Sequence, residues 1–293
     1  MEASSLDQGF FTWDADSDTG LTIVHVDDLM FGGDSSFHEK VISPIEQTFS
    51  ISTRNMNCFT YTGKNIVQLS DKSIQIDQHS YASTIQPLNF LKNQSEKTPL
   101  TSTEKSQFRS IVGQLNWLSG ITRPDISFEV SQLSAVASQA TVGDAKLLNK
   151  VVKKVRCEQL STSYPPLNLK SLSIVVYSDA SHGNLPDGGS QGGNIIFLTD
   201  GTKSAPLQWT SQRLKRVVRS TLAAEALALL AACDSAIYLQ TLVEHQTCHS
   251  YPPSNVSSTT NHAMTTSSLQ NLSLNSVFAS TLQPYEKWLV AKR

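Results

Sequence analysis

The sequence predicts an α+β protein of two units, and three stretches of the chain carry that prediction. An apolar hairpin lies near the start, residues 106–155 show helical periodicity, and apolar strands followed by an Ala/Leu-rich helix come after residue 170. A chain of 293 residues is long enough to bury two hydrophobic cores, and one larger domain is the alternative. We therefore expect sheets and helices in two successive units.

The first hundred residues show strand and turn patterns. The segment LTIVHVDDLMFGG predicts a β-hairpin, because β-branched and apolar residues run into paired aspartates and out again toward two glycines. Ser35 is the expected N-cap of a helix with three inward apolar side chains, Phe37, Val41 and Ile45. The stretch FTYTGKNIVQLSDKSIQID predicts two short strands around Ser70-Asp71.

Residues 106–155 predict three helices. Their apolar positions recur at helical spacing: Phe108, Ile111, Val112, Leu115 and Leu118, then Ile126, Val130 and Leu133, then Leu147, Val151 and Val155. We expect Trp117, Ile121 and Phe128 in the same core as Leu118. The residues Thr122-Arg123-Pro124-Asp125 predict a capped turn between two of the helices.

The second unit follows a polar, proline-containing stretch, residues 161–169, which is the expected linker. The segments SLSIVVYSDAS, GGNIIFLTD and SAPLQWTSQ predict three strands of a mixed sheet, and residues 221–244 predict a helix. Residues 248–280 are rich in Ser, Thr and Asn with little periodicity, so we expect poor order there.

Composition restricts the possible classes of protein. A net charge of −2 and a pI near 6.4 argue against a polybasic coat for nucleic acid and leave room for a local basic groove. The four cysteines form no CxxC pair, so we expect neither a zinc knuckle nor a disulfide scaffold. We find no apolar run near the roughly 20 residues of a membrane span and no signal peptide. We therefore expect an intracellular protein, cytoplasmic or nuclear.

Two pairs of carboxylates are candidate metal ligands. Asp27 and Asp28 are adjacent at the predicted hairpin tip, where like charges repel unless a divalent cation offsets them; a solvated turn is the alternative. Asp179 ends an apolar strand, and Glu225 lies in the Ala/Leu-rich helix, where small neighbours would allow close approach to a sheet. Taken singly, Asp179 is equally consistent with capping a turn.

Basic residues offer a second kind of site. A cluster before the Glu225 helix would attract a phosphate backbone, with a solvated charge run as the alternative: Arg213, Lys215, Arg216 and Arg219. A second cluster has the spacing expected for the solvent-exposed face of a helix: Lys150, Lys153, Lys154 and Arg156. Trp209 could stack on a base or complete a core. Asp187 and Asp200 lie in turns and are expected to accept local backbone hydrogen bonds.

Several of these segments resemble one family. The box Val24-His25-Val26-Asp27-Asp28 is similar to the catalytic box of copia-type reverse transcriptases, and YTGKNI, KTPL and GQLNWLSGITRPDISFEVSQLS are similar to segments that follow it. Asp179 and the segment STLAAE ending at Glu225 resemble copia-type RNase H. From about Leu21 to Asn261, the chain resembles the C-terminal part of the reverse transcriptase plus the RNase H domain of a copia-type LTR retrotransposon Pol polyprotein.

The resemblance implies a fold, a cofactor and partners. The implied division is a partial palm and connection in residues 1–160, a linker in 161–169, an RNase H-like mixed-sheet α/β domain in 170–262 and a degenerate or disordered tail in 263–293. It also implies Mg²⁺ or Mn²⁺ for two-metal phosphoryl chemistry on RNA·DNA hybrids, with four metal-binding, catalytic carboxylates, Asp27, Asp28, Asp179 and Glu225. Other Pol-derived domains are the further implied partners.

The chain departs from the family pattern in three places. About twenty residues precede the hairpin box, where the family has its fingers and first palm strand. Thr260, in Thr259-Thr260-Asn261, stands where the family's RNase H has aspartate, and the C-terminal segment lacks the basic pattern that carries a fourth acid. We therefore expect a truncated, degenerate copy with impaired activity. The alternative is a non-catalytic remnant that binds nucleic acid or has no biochemical role.

Overall fold

Three β-sheets and a group of packed helices make up the described part of the chain. The computed structural model describes residues 1–15, 18–91, 93–168, 171–247, 255–258 and 287–292. The strands are β1 (Glu2–Ala3), β2 (Phe10–Ala15), β3 (Asp18–His25), β4 (Asp28–Gly33), β5 (Thr53–Met56), β6 (Cys58–Tyr61), β7 (Lys64–Gln68), β8 (Ile74–Asp77), β9 (Thr162–Tyr164), β10 (Ser173–Ser181), β11 (Gln191–Thr199), β12 (Ser204–Arg213), β13 (Asn255–Ser258) and β14 (Lys287–Lys292). The helices are α1 (Ser35–Phe37), α2 (Ser43–Thr48), α3 (His79–Thr84), α4 (Ser102–Ile121), α5 (Ser127–Val136), α6 (Val142–Cys157) and α7 (Thr221–Thr247). A π-helical turn, His38–Ile42, joins α1 to α2, and a 3-10 turn, Pro124–Ile126, precedes α5.

The first sheet is antiparallel, has the order β1-β2-β3-β4-β14-β5, and contains the predicted hairpin. Gly20 and Gly33 face each other across β3 and β4, and the buried ring of Phe37 lies over both. A Cβ atom on Gly20 or Gly33 would lie 2.1 or 2.2 Å from that ring. Only glycine therefore leaves room for the ring that seats α1 on the hairpin.

The helix after the hairpin is present as predicted, but its cap differs by one residue. Asp34, and not Ser35, is the N-cap: its carboxylate accepts a hydrogen bond from the Phe37 N–H at 2.7 Å. The other carboxylate oxygen accepts from the Thr19 N–H at 3.0 Å. The Ser35 prediction is wrong because a carboxylate at position 34 both caps the helix and holds it to β3.

The second sheet has the order β6-β7-β8-β9. Strands β7 and β8 confirm the two strands predicted around Ser70-Asp71, whereas β6, at the start of the same stretch, was not predicted. The Asp71 carboxylate accepts hydrogen bonds from the Ser73 N–H and hydroxyl at 3.0 and 2.6 Å. Strand β9 lies within residues 161–169, the expected linker, and pairs with β8. The chain therefore adds a strand to this sheet before it enters the second unit.

Helices α4, α5 and α6 confirm the three predicted helices, and their buried side chains form the largest apolar cluster of the described residues. The predicted core residues Trp117 and Phe128, however, are 44% and 40% exposed, whereas Leu118 is 1% exposed. Consecutive residues on a helix point about 100° apart, and on α4 Leu118 faces the core whereas Trp117 faces outward. The prediction is wrong for both aromatic residues.

The turn between α4 and α5 lies where it was predicted and is built around a buried arginine, but no side chain caps the Pro124–Ile126 turn or the start of α5, so the predicted cap is wrong. Arg123 donates to both carboxylate oxygens of Asp125, at 2.8 and 2.9 Å, and to the Glu158 carbonyl at 2.8 Å. The Thr122 hydroxyl donates to Gln78 at 3.0 Å. The Lys154 ammonium also reaches Asp125 at 3.0 Å. This turn thereby ties together the ends of α4 and α6.

The third sheet has the order β12-β11-β10-β13 and is mixed, as predicted. Strands β10, β11 and β12 are antiparallel, whereas β13 runs parallel to β10. Helix α7 packs on one side, here called the inner face, through four buried alanines at helical spacing, Ala224, Ala228, Ala232 and Ala236. The opposite side is called the outer face. Strand β13 belongs to the segment expected to be poorly ordered, most of which lies outside the described residues.

Helix α7 contradicts one prediction. By length and composition, Thr221–Leu242 is apolar enough to cross a membrane, so the prediction that no apolar run approaches that length is wrong. One face of this helix packs on the third sheet through alanines, whereas Leu222, Leu230 and Tyr238 are exposed on the other. Length and composition are therefore weak grounds for a membrane span here.

Candidate active site

The first acidic pair lies at the tip of the β3–β4 hairpin. Val26 and Asp27 form the two-residue loop, and Asp28 begins β4 opposite His25. Val26 is 84% exposed and has φ of 55°, a conformation that costs a β-branched residue free energy. Burial, and then the charge of Asp28, raise the pKa of the Tyr61 hydroxyl. The hairpin thus presents two carboxylates on a strained, exposed turn.

The second pair is brought together from two elements. Asp179 is an exposed residue near the end of β10, and Glu225 is a partly buried residue in the first turns of α7. Burial, and then the charge of Asp179, raise the pKa of the Glu225 carboxyl, while the Ala180 N–H donates to it and partly offsets that rise. The Glu225 Oε2 atom is buried without a hydrogen-bond partner. A cation beside this carboxylate would lower the pKa of Glu225 and give its Oε2 atom a partner.

Small residues set the close approach that makes this pair. Gly192 on β11 faces α7, and a Cβ atom there would lie 3.3 Å from the Cβ of Ala228 and 2.9 Å from the Leu214 side chain. Ala228 is one helical turn after Glu225. The glycine and the alanine therefore let the helix descend onto the sheet far enough for its carboxylate to reach the backbone of β10.

Among the residues that the structure describes, neither acidic pair has a third metal-binding side chain beside it. Within the described ranges, no group of three or more His, Cys, Asp or Glu residues is placed to hold a metal ion. Strand β13 runs beside β10 with Ser258 opposite Ser178, and Thr259-Thr260-Asn261 follow in the sequence. Those three residues lie outside the described part of the chain. The two acidic pairs belong to different sheets, so they form two separate candidate sites.

The predicted basic cluster forms an exposed segment between β12 and α7, here called the basic loop, residues 213–220. Arg213 makes an ion pair with Asp187 in the β10–β11 turn, so it is tied to protein. Lys215, Arg216 and Arg219 are exposed. The His182 Nε2 atom lies 3.2 Å from the Val218 carbonyl and joins the loop to the turn that follows Asp179. Sequence patterns gave no signal for His182.

The remaining polar candidates have structural contacts. Asp187 accepts from the Gly189 N–H, and Asp200 accepts from the N–H groups of Thr202 and Lys203 at 2.8 Å each, which confirms the predicted turn roles. Backbone hydrogen bonds, first that from Asn168, hold the pKa of Asp200 well below its usual range. The second basic cluster is exposed on α6 except for Lys154, which pairs with Asp125.

Comparison with known proteins relates the chain to one group of proteins. No family model matches the chain. The chain is 28% identical over 214 residues to a putative transposon Ty5-1 protein of Saccharomyces cerevisiae, covering 67% of this chain. It is 29% identical over 219 residues, 69% of this chain, to the retrovirus-related Pol polyprotein from transposon RE1 of Arabidopsis thaliana. The chain is a relative of copia-type retrotransposon Pol polyproteins. The resemblance found in the sequence is confirmed at this level.

The chain spans only part of these retrotransposon relatives, 66% of the yeast protein and 14% of the RE1 polyprotein. It is also 29% identical over 219 residues to an uncharacterized mitochondrial protein of Arabidopsis thaliana, of which it covers 87%. Among solved structures, a foamy viral protease-reverse transcriptase in complex with RNA/DNA hybrid matches 83% of the chain with a TM-score of 0.49 and 14% identity. Assignment of the sheets to a palm and an RNase H domain stays a prediction.

Proposed function

We propose that this retrotransposon-related chain binds RNA·DNA hybrids at the Asp179–Glu225 pair, with a divalent cation held there, and that its cleavage activity is impaired. The observation that carries the proposal is that the Glu225 carboxylate accepts a hydrogen bond from the Ala180 N–H, next to Asp179 in the chain, while its Oε2 atom is buried and unpartnered. Two like charges close together at the edge of a sheet repel each other unless a cation lies between them. The names of the relatives, a transposon protein and a Pol polyprotein, support nucleic acid as the proposed substrate class.

The chemistry of the pair fits one Mg²⁺ or Mn²⁺ ion. Magnesium keeps several waters and is commonly bound through one or two carboxylates together with substrate phosphates. Asp179 and Glu225 would hold the ion, which would neutralise phosphate charge at the scissile bond. Two-metal hydrolysis of a phosphodiester needs further carboxylates, and the family's third position carries Thr260, whose hydroxyl has no charge. We therefore propose weak or absent turnover.

The basic loop would supply the contacts to the nucleic-acid backbone. Lys215, Arg216 and Arg219 are exposed, and the loop is fastened beside β10 through the Arg213–Asp187 ion pair and the His182 contact. Lysine and arginine side chains bind phosphates without reading sequence, and the affinity falls as salt rises. Hybrid binding by this chain should therefore be salt-sensitive.

The exposed Asp27–Asp28 hairpin is the second candidate site. Its family role is nucleotide polymerisation with two metal ions, and we propose that the hairpin of this chain, with its two carboxylates, contributes little catalysis alone. The alternative for the whole chain is a non-catalytic remnant, with nucleic-acid binding only or no biochemical role. We propose an intracellular location, cytoplasmic or nuclear, in keeping with a retroelement product.

The test is an assay of the purified chain on a labelled RNA·DNA hybrid with Mg²⁺ or Mn²⁺, beside Asp179→Asn and Thr260→Asp variants. We expect metal-dependent binding of the hybrid, little cleavage by the native chain, and more cleavage by Thr260→Asp. Robust native cleavage that Asp179→Asn abolishes would show an intact enzyme and refute the impairment. Absence of hybrid binding by all three proteins would refute the proposed function and leave the remnant without a biochemical role.

A further inference from the structure

A pocket of about 300 Å³ lies between the outer face of the third sheet and the turn that begins α5. Tyr177 and Asp179 line it from β10, because residues two apart on a strand share a face. Trp209 lines it from β12, and Phe128 closes it from α5. The pocket thus joins one carboxylate of the candidate active site to three aromatic side chains.

Two of the aromatic walls, Tyr177 and Trp209, are held by neighbouring residues, and two, Tyr177 and Phe128, are exposed. Tyr177 and Phe128 are 41% and 40% exposed. The Tyr177 ring makes an edge contact with Phe197 at 6.1 Å between centroids, and the Trp209 indole donates to the Ser119 carbonyl at 2.6 Å. Large aromatic side chains that stay open to solvent while their neighbours fix their orientation are typical of a stacking surface.

The floor of the pocket is kept empty beside the carboxylate. Gly193 is the direct strand partner of Asp179, so the position next to that carboxylate has no side chain. A Cβ atom on Gly193 would lie 3.3 Å from the Thr210 carbonyl oxygen, closer than most side chains tolerate. The available space therefore begins at Asp179 and extends toward Phe128 and Trp209.

We propose that this pocket binds one unpaired nucleobase at the end of the hybrid whose backbone lies at the Asp179–Glu225 pair. This inference rests on the proposed function. The volume of the pocket is at the small end of the range for ligand pockets. It is enough for one nucleoside and too small for a duplex. Bases inside a duplex are already stacked, so only an unpaired base can enter. Aromatic stacking accepts any base, and the Asp179 carboxylate can accept a hydrogen bond from a ribose hydroxyl or an amino group.

The test compares two substrates of equal duplex length, a blunt RNA·DNA hybrid and one with a single-stranded overhang of two nucleotides. Binding is measured by fluorescence anisotropy with Ca²⁺ in place of Mg²⁺ to limit cleavage. We expect the overhang to tighten binding by the native chain roughly tenfold, since stacking of a base on an aromatic ring has an effect of that order. Phe128→Ala should abolish this difference, and Phe128→Tyr should retain it.

Trp117→Ala is the matched control, because Trp117 is an equally exposed aromatic residue on α4 that does not line the pocket. It should keep the full effect of the overhang. Equal affinity of the native chain for both substrates, or an overhang effect that survives Phe128→Ala, overturns the inference while blunt-hybrid binding still supports the proposed function. Failure of the native chain to bind either hybrid overturns the proposed function and the pocket assignment with it.

Discussion

The Trp209 indole N–H donates a hydrogen bond to the Ser119 carbonyl at 2.6 Å, across 90 residues of sequence. Through this contact the outer face of the third sheet is attached to the end of α4. Gln191 makes a second attachment, donating to the Ser131 hydroxyl on α5 at 3.1 Å. The two contacts fix the separation between Phe128 and the sheet, and therefore the width of the pocket beside Asp179.

Replacing Trp209 by phenylalanine should weaken this attachment without emptying the site. The ring stays apolar and aromatic, but the donor to the Ser119 carbonyl is lost, which should lower the free energy of unfolding by about 1 kcal/mol. Chemical denaturation with urea measures the change. Gln212→Ala, an exposed position on the same strand, serves as the control and should have little effect. An unchanged stability for Trp209→Phe would mean that the hydrogen bond does not hold the two units together.

Arg123 should be the most sensitive polar residue of the helical unit. Its side chain is only 4% exposed and donates to Asp125 and to the Glu158 carbonyl. Removing it in Arg123→Ala leaves Asp125 with only the Lys154 ammonium and takes the donor away from the Glu158 carbonyl, and we expect a loss of about 3 kcal/mol in the free energy of unfolding. Arg123→Lys should recover only part of this, because an ammonium cannot donate to both carboxylate oxygens in the same planar geometry.

Lys150→Ala is the control for Arg123, since it removes an exposed cation from the adjacent helix α6 and should change stability by less than about 0.5 kcal/mol. Urea denaturation of the three variants beside the native chain makes the comparison. A loss no larger for Arg123→Ala than for Lys150→Ala would contradict the role assigned to the turn.

The packing of Phe37 on the paired glycines predicts a specific coupling. Gly33→Ala would place a methyl group where the Phe37 ring lies, and we expect a loss of about 1–3 kcal/mol from overpacking. Phe37→Leu alone should also destabilise, by loss of buried area. The double variant should be less destabilised than the sum of the two single losses, because the smaller side chain leaves space for the methyl group. Thermal or urea unfolding gives the double-mutant cycle, and strict additivity would argue against the contact.

The longer helices and the strands β3, β4, β7, β8, β10, β11 and β12 could be predicted from sequence because local spacing determines them. The apolar periodicity of residues 106–155 and the alternation in β10, β11 and β12 are signals within short windows. The cap at Asp34 was missed because Asp and Ser are nearly equal as caps, and only the contact with Thr19 on a neighbouring strand decides between them. Strand β9 was missed because a polar stretch with two prolines gives no apolar alternation.

The candidate site was partly predictable for a related reason. Asp179 and Glu225 could be chosen because each is an acid in an apolar element, and the family resemblance supplied their pairing. The pocket could not be found, because Phe128 and Tyr177 meet across some fifty residues and only tertiary packing brings them together. Phe128 was placed in the core on the basis of helical spacing, but the spacing does not say which side of α5 remains uncovered.

Glu225 should give the stability of the chain a pH dependence that an exposed acid would not. Burial and the charge of Asp179 raise its pKa in the folded state above the unfolded value of 4.5, so the folded state holds more protons in that interval. Stability should then fall as the pH rises from about 4.5 through the folded pKa, and Glu225→Gln should remove this part of the decline. At pH 7 without metal, Glu225→Gln should be more stable than the native chain.

Adding Mg²⁺ should stabilise the native chain and leave the stability of Glu225→Gln unchanged, because the variant lacks the charge that holds the ion. Asp234→Asn, an exposed acid on the same helix, should behave like the native chain in both respects, and thermal melts across pH 4–8 with and without Mg²⁺ make the measurement. If Glu225→Gln responds to Mg²⁺ as the native chain does, the ion is not bound by this pair.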